Sequence, residues 1–257
     1  MDYIVICIVA LIGSALTLFS GFGLGTILLP VFGLFFPIEI AIILTAIVHF
    51  LNNLLKLIVF GKNADSTVIL RFGIPAIIFA FWGAYVLKEL VGMQPLFEYS
   101  IAEKTFGILP IKLIIGVLLL IFSLIEFIPK YKNMEFDKKY LSVGGILSGF
   151  FGGISGHQGA LRSAFLIRTN LSKDAFIATG VVIACLVDVS RLSVYIPQII
   201  ENKITLDYKL VVLATLSAFC GVYFGNKLLQ KTTVKTLQNL VALMLMLYAV
   251  LLILGIV

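Results

Sequence analysis

Several charged side chains lie inside long apolar stretches of this chain, and Arg162 is the clearest case. It belongs to the sequence Gly156-His157-Gln158-Gly159-Ala160-Leu161-Arg162-Ser163. A guanidinium binds an oxyanion through two parallel hydrogen bonds, and a helix restarting after the glycines adds free backbone N–H groups and partial positive charge. The pattern predicts an anion site made by Gly156, His157, Gln158, Gly159, Arg162 and Ser163. The structural alternative is that Arg162 is ion-paired, or extends to the membrane surface, and only orders this segment.

An earlier glycine run offers a second surface for the same ligand. In Gly21-Phe22-Gly23-Leu24-Gly25-Thr26 the backbone N–H groups can approach a ligand closely, because glycine has no side chain. We expect Gly21, Gly23, Gly25 and Thr26 to contribute to the anion site. The alternative is that Gly21 and Gly25 form a helix-packing face of small residues, and the two interpretations are compatible. No strand precedes the run, so it is not a dinucleotide-binding fingerprint.

Polar residues recur at helical spacing in two other apolar stretches, with His49, Asn52, Asn53 and Lys56 in the first and Asp188, Arg191 and Tyr195 in the second. The functional interpretation is a polar path or a gating pair. The alternative is a packing network in which Asp188 neutralises Arg191. Histidine titrates near neutral pH, so proton coupling through His49 stays open, as does sodium coupling. No cofactor and no metal site are expected.

The amino-acid composition indicates that lipid, and not water, surrounds most of the chain. The chain is 61% hydrophobic and 12% charged, whereas soluble domains have roughly 25% charged residues. Lipid must therefore cover most of the surface. The net charge of +6 is spread over short loops between apolar runs, without the basic patch of a nucleic-acid-binding protein. We expect an all-α integral membrane protein whose partners are the bilayer and a small anion, and no nucleic acid.

The apolar runs define the membrane segments. A crossing helix needs about 20 apolar residues, which predicts six spans at 38–60, 68–88, 109–128, 174–198, 208–228 and 234–256. Residues 3–36 and 140–168 are each too long for one crossing and are interrupted by glycines. Glycine disfavours a helix interior by about 1 kcal/mol relative to alanine. Broken backbone at membrane depth is tolerated only inside protein or beside water, so we predict two re-entrant hairpins. No element is predicted for the loop 92–107.

Charge placement supports one orientation of these segments. With both termini outside, eleven Lys and Arg residues fall inside, at 62, 71, 130, 132, 138, 139, 168, 173, 227, 231 and 235. Five fall outside, at 88, 104, 112, 203 and 209. Basic loops prefer the cytoplasmic side. We expect a multi-pass protein of a cell membrane, the bacterial inner membrane, with both termini outside.

The same arrangement predicts an internal duplication. A hairpin plus three crossings gives each half an odd number of crossings, so the two halves must be inverted relative to each other. A shift of 135 residues pairs Ser20-Gly21 with Ser155-Gly156, Glu39 with Asp174, Asn53 with Asp188, Lys56 with Arg191, and Phe60 with Tyr195. Inverted repeats around broken helices are common in secondary transporters. We predict repeats at 1–129 and 140–257, about eight membrane segments in all, joined by a cytoplasmic linker at 130–139.

These motifs resemble those of the TauE/SafE (sulfite exporter) family of membrane permeases. The resemblance rests on a glycine-rich break followed by Pro30, and on Gly152-Gly153-x-x-Gly156 after Leu147-Ser148-Gly149 in the second half. It implies transport of sulfur-containing anions such as sulfite, sulfoacetate and thiosulfate, with segments 21–26 and 152–163 lining the substrate. The chain departs from the usual second motif at His157–Arg162, where further glycines and a proline are typical.

Three functional hypotheses follow. The leading one is a secondary transporter, an exporter, for small sulfur-containing anions, and a homodimer is compatible with it. An anion channel is the first alternative, because the sequence does not separate a channel from a carrier. An intramembrane enzyme is the second alternative. The chain has no HExxH or GxSxG motif, and we therefore expect no enzymatic activity.

Overall fold

Apolar helices make up most of the chain that the structure describes. The computed structural model covers residues 2–17, 23–128, 135–201, 205–228 and 234–257, with the backbone alone at 226–228 and 234–238. These residues form ten helices, α1 to α10: Asp2–Thr17, Leu24–Gly33, Ile38–Phe60, Ser66–Leu90, Pro110–Phe127, Leu141–Ser155, Gly159–Leu166, Lys173–Ile200, Tyr208–Leu228 and Val234–Ile253. They also form two strands, β1 (Phe97–Ile101) and β2 (Lys104–Ile108). The prediction of an all-α membrane protein is confirmed.

Five of the described helices, α3, α4, α5, α8 and α9, are long and apolar enough to cross a membrane. The 20 residues of α10 extend over about 30 Å at 1.5 Å per residue, the thickness of the hydrocarbon core. Each of the six predicted spans agrees with an observed helix to within three residues at both ends. Helix α4 includes a π-helical turn at Ile69–Gly73. The predicted span at 68–88 covers these residues but did not indicate a distortion of the helix.

The π turn has a local cause. Pro75 has no N–H to donate to the carbonyl of Arg71, four residues earlier. The Ser142 hydroxyl of α6 donates to that carbonyl at 3.1 Å. A helix from the second half of the chain therefore satisfies an acceptor that the proline leaves without its intrahelical donor.

The loop between α4 and α5 forms a β-hairpin, where the sequence analysis assigned no element. Strands β1 and β2 are antiparallel, with Tyr99 opposite Phe106. The two turn residues, Ala102 and Glu103, have φ of +48° and +67°. Hairpin turns with two positive φ values usually contain Asn or Gly. The sequence signal for a hairpin is therefore missing, although the strands are present.

Glycines bring helices from the two halves of the chain into backbone contact. A Cβ added to Gly145, Gly149 or Gly153 of α6 would lie 2.2 to 2.3 Å from a backbone carbonyl oxygen of α4. Gly221 of α9 is similarly close to the Leu11 carbonyl of α1, at 2.2 Å. Small residues let membrane helices approach closely. Close packing therefore joins α6 to α4, and α1 to α9.

The helix pairs follow a regular pattern. Helix α1 packs along α9, and α6 packs along α4, while α3 packs on α8 and α5 packs on α10. If the first five helices exchange places with the last five, this set of pairs is unchanged. The central pair, α3 and α8, carries the two polar stripes identified in the sequence.

Contacts between connecting segments define two ends of the bundle. At the terminal end, the Tyr3 hydroxyl donates to Asp207 and the Tyr99 hydroxyl donates to the Leu254 carbonyl at 2.6 Å. At the linker end, Arg168 pairs with Glu135 at 2.8 Å. The Asp65 amide, which starts α4, donates to Thr179 of α8 at 2.9 Å. These contacts place the turn before α4 and the segment before α8 at the linker end, and the β-hairpin and the segment before α9 at the terminal end.

Candidate functional site

The second helix break lies at Gly156, between α6 and α7. Gly156 has φ +76°, the left-handed conformation that ends helices and that favours glycine. A Cβ there would lie 2.8 Å from Nη1 of Arg191. The Ser148 hydroxyl donates to the Gln158 carbonyl at 3.2 Å, and α7 restarts at Gly159. The predicted interruption of residues 152–159 is therefore present, and it is confined to residues 156–158.

At the first predicted break, residues 18–22 lie outside the described chain, which resumes at Gly23, directly before α2 starts at Leu24. Gly23 is extended, with φ −84° and ψ 144°, and the Thr26 amide donates to its carbonyl at 3.1 Å. A Cβ on Gly23 would lie 3.0 Å from Nε2 of His49. The predicted site residue Gly21 lies outside the described residues. Gly25 and Thr26 are buried in α2.

One cavity of about 120 Å³ adjoins the first break at Gly23 and helix α7, which follows the second break. A water molecule takes up about 30 Å³, so the space holds roughly four water-sized groups. Its walls come from α1, Gly23, α3, α7 and α8, through Thr17, Gly23, His49, Asn53, Lys56, Arg162, Ser163, Leu166, Lys173, Phe176, Ile177, Gly180 and Val181. Three of these residues are basic, and none of these described lining residues is acidic.

The two buried cations of the cavity, Arg162 and Lys56, are only 8% and 5% exposed. The ion pairs within the described ranges involve neither of them. Nη1 of Arg162 is fully buried and has no hydrogen-bond partner among the described atoms. Burial of a charge is costly unless the charge is paired. The cavity therefore favours an anion by both charge and unmet hydrogen bonding.

A separate ion-pair network lies behind the cavity wall. Oδ1 of Asp188 is 2.8 Å from Nη2 of Arg191 and accepts from its Nε at 3.0 Å. Oδ2 of Asp188 is 2.7 Å from Nδ1 of His49, and the Asn53 amide donates to the same oxygen at 3.4 Å. Asp188 and Arg191 do not line the cavity. Asp188 and Arg191 thus form an ion pair, the contact that the packing alternative requires.

The remaining predicted residues lie around the cavity without lining it. His157 is buried, and its ring stacks on Phe122 of α5 with 6.3 Å between ring centroids. Nε2 of His157 and both side-chain polar atoms of Gln158 are buried without a partner among the described atoms. Asn52 accepts a hydrogen bond from the Ser14 hydroxyl of α1 at 3.0 Å. Gly159 is buried as the first residue of α7.

Lys173 was not among the predicted site residues. This side chain lies at the start of α8, is exposed and lines the same cavity as Arg162. Its sequence context is that of a basic residue in a cytoplasmic loop, and Lys173 was counted among the eleven basic residues expected on the inside. The signal that could have identified it is its position directly after the second hairpin, where the chain leaves the break.

Fold and cavity together define a multi-pass membrane protein with a cation-lined internal site. The profile of the family described as TauE, sulfite exporter TauE/SafE, matches residues 5–252, nearly the whole chain. The chain belongs to this family, and the predicted resemblance is confirmed. It is therefore a membrane transporter. A comparison with curated proteins found no significant match.

Proposed function

We propose that this transporter is a secondary permease that exports small sulfur-containing oxyanions. The observation that carries the proposal is Nη1 of Arg162, which is buried without a hydrogen-bond partner among the described atoms, in a cavity that Lys56 also lines. Two buried cations, and no carboxylate among the described lining residues, favour a ligand with one or two negative charges.

The binding chemistry follows from the donors around the cavity. The Arg162 guanidinium is planar and can donate two parallel hydrogen bonds to two oxygens of one ligand. Lys56 adds a compact positive charge from the α3 side, and Ser163 adds a hydroxyl. A tetrahedral or pyramidal oxyanion matches donors that converge from several sides.

The cavity volume narrows the substrate class. Space for roughly four water-sized groups suits an anion built on a single sulfur centre, such as sulfite, or the slightly larger thiosulfate. Sulfoacetate adds a carboxymethyl group to the sulfonate. We therefore expect sulfite and thiosulfate to bind more tightly than sulfoacetate.

The position of the cavity supports export. Lys173 and Phe176, in the first turn of α8, belong to the linker end, and both line the cavity. Toward the terminal end, the Tyr195 hydroxyl donates to the Gly153 carbonyl at 3.0 Å and joins α8 to α6. If the linker end is cytoplasmic, as the positive-inside rule favours, the site loads from the cytoplasm. Both termini are then outside a bacterial inner membrane.

Alternating access is proposed to come from two inverted repeats, 1–129 and 140–257, with the linker at 130–139. The exchange-symmetric helix pairing supports this division. Residues 129–134 lie outside the described chain. In the second state, the contact between Tyr195 and Gly153 would open while the cavity closes around α3 and α7.

Reconstitution of the purified protein in liposomes tests the proposal, with radiolabelled sulfite as substrate. We expect saturable counterflow in the wild type and at least a roughly 100-fold lower flux in Arg162→Ala. Loss of two charge-assisted hydrogen bonds removes about 3–6 kcal/mol, and each 1.4 kcal/mol is a factor of ten. Arg168→Ala is the matched control, because Arg168 is in the same hairpin, is exposed and pairs with Glu135 at 2.8 Å.

Each alternative gives a different result in the same liposomes. An ohmic current without counterflow would identify a channel, and chemical conversion of the labelled anion would identify an enzyme. Wild-type flux in Arg162→Ala, with the protein correctly folded, would remove the proposed site.

A further inference from the structure

One ring nitrogen of His49 is bound to the Asp188 carboxylate, and the other faces the proposed anion cavity. Nδ1 lies 2.7 Å from Oδ2 of Asp188. An ionised carboxylate only accepts hydrogen bonds, so Nδ1 must carry the proton in this contact. Nε2 is therefore the basic nitrogen of the neutral ring. This orientation is the one in which a buried Asp stabilises an imidazolium in catalytic triads.

The basic nitrogen faces the first helix break. A Cβ on Gly23 would lie 3.0 Å from Nε2, and both His49 and Gly23 line the cavity. The Asn53 amide nitrogen stands 3.2 Å from Nε2 and 3.4 Å from Oδ2 of Asp188. When Nε2 takes up a proton, that amide can donate to Asp188 instead. The local hydrogen bonds thus accommodate both states of the ring.

The charges around His49 come from several elements. Asp188 and Arg191 face it from α8, Lys56 from its own helix, Arg162 from α7, and His157 from the second break. Cys185 of α8 lies near Lys56 and Arg162. Arg191 is paired with Asp188, so Lys56 and Arg162 are the buried cations that share the cavity with His49. An oxyanion in the cavity neutralises these cations and accepts a hydrogen bond from a protonated Nε2.

We propose that anion binding is coupled to uptake of one proton at His49, so that anion and proton cross the membrane together. The inference rests on the proposed anion site and adds its coupling ion. The proton comes from the bulk solution, is conducted by water in the cavity, and forms an N–H bond at Nε2. It is released when the anion leaves. Because the linkage is reciprocal, a bound proton must strengthen anion binding as much as the anion strengthens proton binding.

Because a proton is transported with the anion, the transported pair carries one negative charge less than the anion alone. A singly charged oxyanion moves with its proton as a neutral pair, so the membrane potential neither drives nor opposes it. Efflux then follows the combined gradient of anion and proton. An accumulated anion can leave by this route without a nucleotide-driven pump.

Calorimetric titration of the tag-free protein with thiosulfate tests the proposal, since thiosulfate stays fully ionised near neutral pH. Titrations in two buffers of different ionisation enthalpy give the number of protons taken up per anion. We expect close to one proton in the wild type. Where the free ring is neutral, affinity should fall about tenfold per pH unit as pH rises.

The variant His49→Asn keeps an amide near the Nδ1 position to bond Asp188, but it does not titrate. We expect it to take up no proton and to bind thiosulfate with a flat pH profile. His157→Asn is the matched control, because His157 is the other of the two histidines and does not line the cavity. It should keep the proton uptake.

Thiosulfate binding without proton uptake in the wild type would overturn the coupling and leave the anion site intact. The same holds if His49→Asn, still binding the anion, takes up the wild-type number of protons. Absence of thiosulfate and sulfite binding by a folded wild type would instead refute the proposed function itself. If His49→Asn does not fold, the wild-type proton count in two buffers still decides the question.

Discussion

Arg162 and Arg191 are both buried, with exposed fractions of 8% and 0%, but their surroundings differ. Arg191 is paired with Asp188, three residues earlier on the same helix. Arg162 lines a cavity together with Lys56, has Nη1 without a partner, and belongs to none of the ion pairs among the described residues. The paired arginine joins α8 to the His49 network, whereas the other leaves its hydrogen-bonding capacity for a ligand. A buried arginine therefore indicates a binding site only where no carboxylate of the protein pairs with it.

The largest expected difference between the two arginines is in their contribution to the stability of the protein. Asp188→Asn leaves Arg191 buried without its counter-charge, and breaking a buried pair from one side costs about 3–5 kcal/mol. We expect a large fall in the melting temperature of the purified protein in detergent. Arg162→Ala should melt no lower than the wild type, because it removes a buried charge that has no carboxylate partner in the described part of the chain.

The double variant Asp188→Asn with Arg191→Met is the control for that comparison. Replacing both partners by uncharged side chains of similar size is often nearly neutral. We therefore expect it to recover much of the lost stability. A single variant Asp188→Asn as stable as the wild type would show that the pair does not hold the bundle together.

The two helix breaks can be compared in the same way. Gly156→Ala forces an L-residue into φ +76°, at a cost of about 1–2 kcal/mol, and places Cβ 2.8 Å from Nη1 of Arg191. Gly25→Ala meets its nearest atom, Cγ2 of Thr45, at an ordinary 3.5 Å. We expect a clear loss of thermal stability in the first variant and a change below about 1 kcal/mol in the second. Equal melting temperatures would contradict the assignment of Gly156 as the residue that requires glycine.

Much of the fold could be predicted from sequence because hydrocarbon thickness fixes helix length. The predicted spans at 38–60 and 208–228 coincide with the observed Ile38–Phe60 and Tyr208–Leu228. The β-hairpin could not be predicted, since Ala102 and Glu103 take positive φ values that their residue types do not indicate. The interruption at Gly156 was predictable because glycine is disfavoured in a helix interior.

The site was predictable to the level of single helix faces and no further. Helical spacing places His49, Asn53 and Lys56 on one stripe, and all three line the cavity. The same reasoning treats Asp188 and Arg191 alike, but which face adjoins the cavity depends on how α8 packs against α3 and α4. Sequence spacing contains no information on that packing. Lys173 was missed because a basic residue at the start of a helix has the same sequence context whether it is only exposed at the membrane surface or lines a binding site.

The smallest expected effect concerns Lys56, the second buried cation of the cavity. Its ammonium is a point charge without the planar fork of a guanidinium, so Lys56→Met should weaken sulfite binding only about tenfold, or about 1.4 kcal/mol. Lys56→Arg should retain most of the affinity. Lys62→Met is the matched control, since Lys62 is exposed in the Gly61–Asn63 turn, six residues further along the chain, and should bind like the wild type. Equilibrium binding of labelled sulfite measures all three. If Lys56→Met loses as much affinity as Arg162→Ala, the two cations act as one unit, and the contrast between a bidentate anchor and an auxiliary charge is wrong.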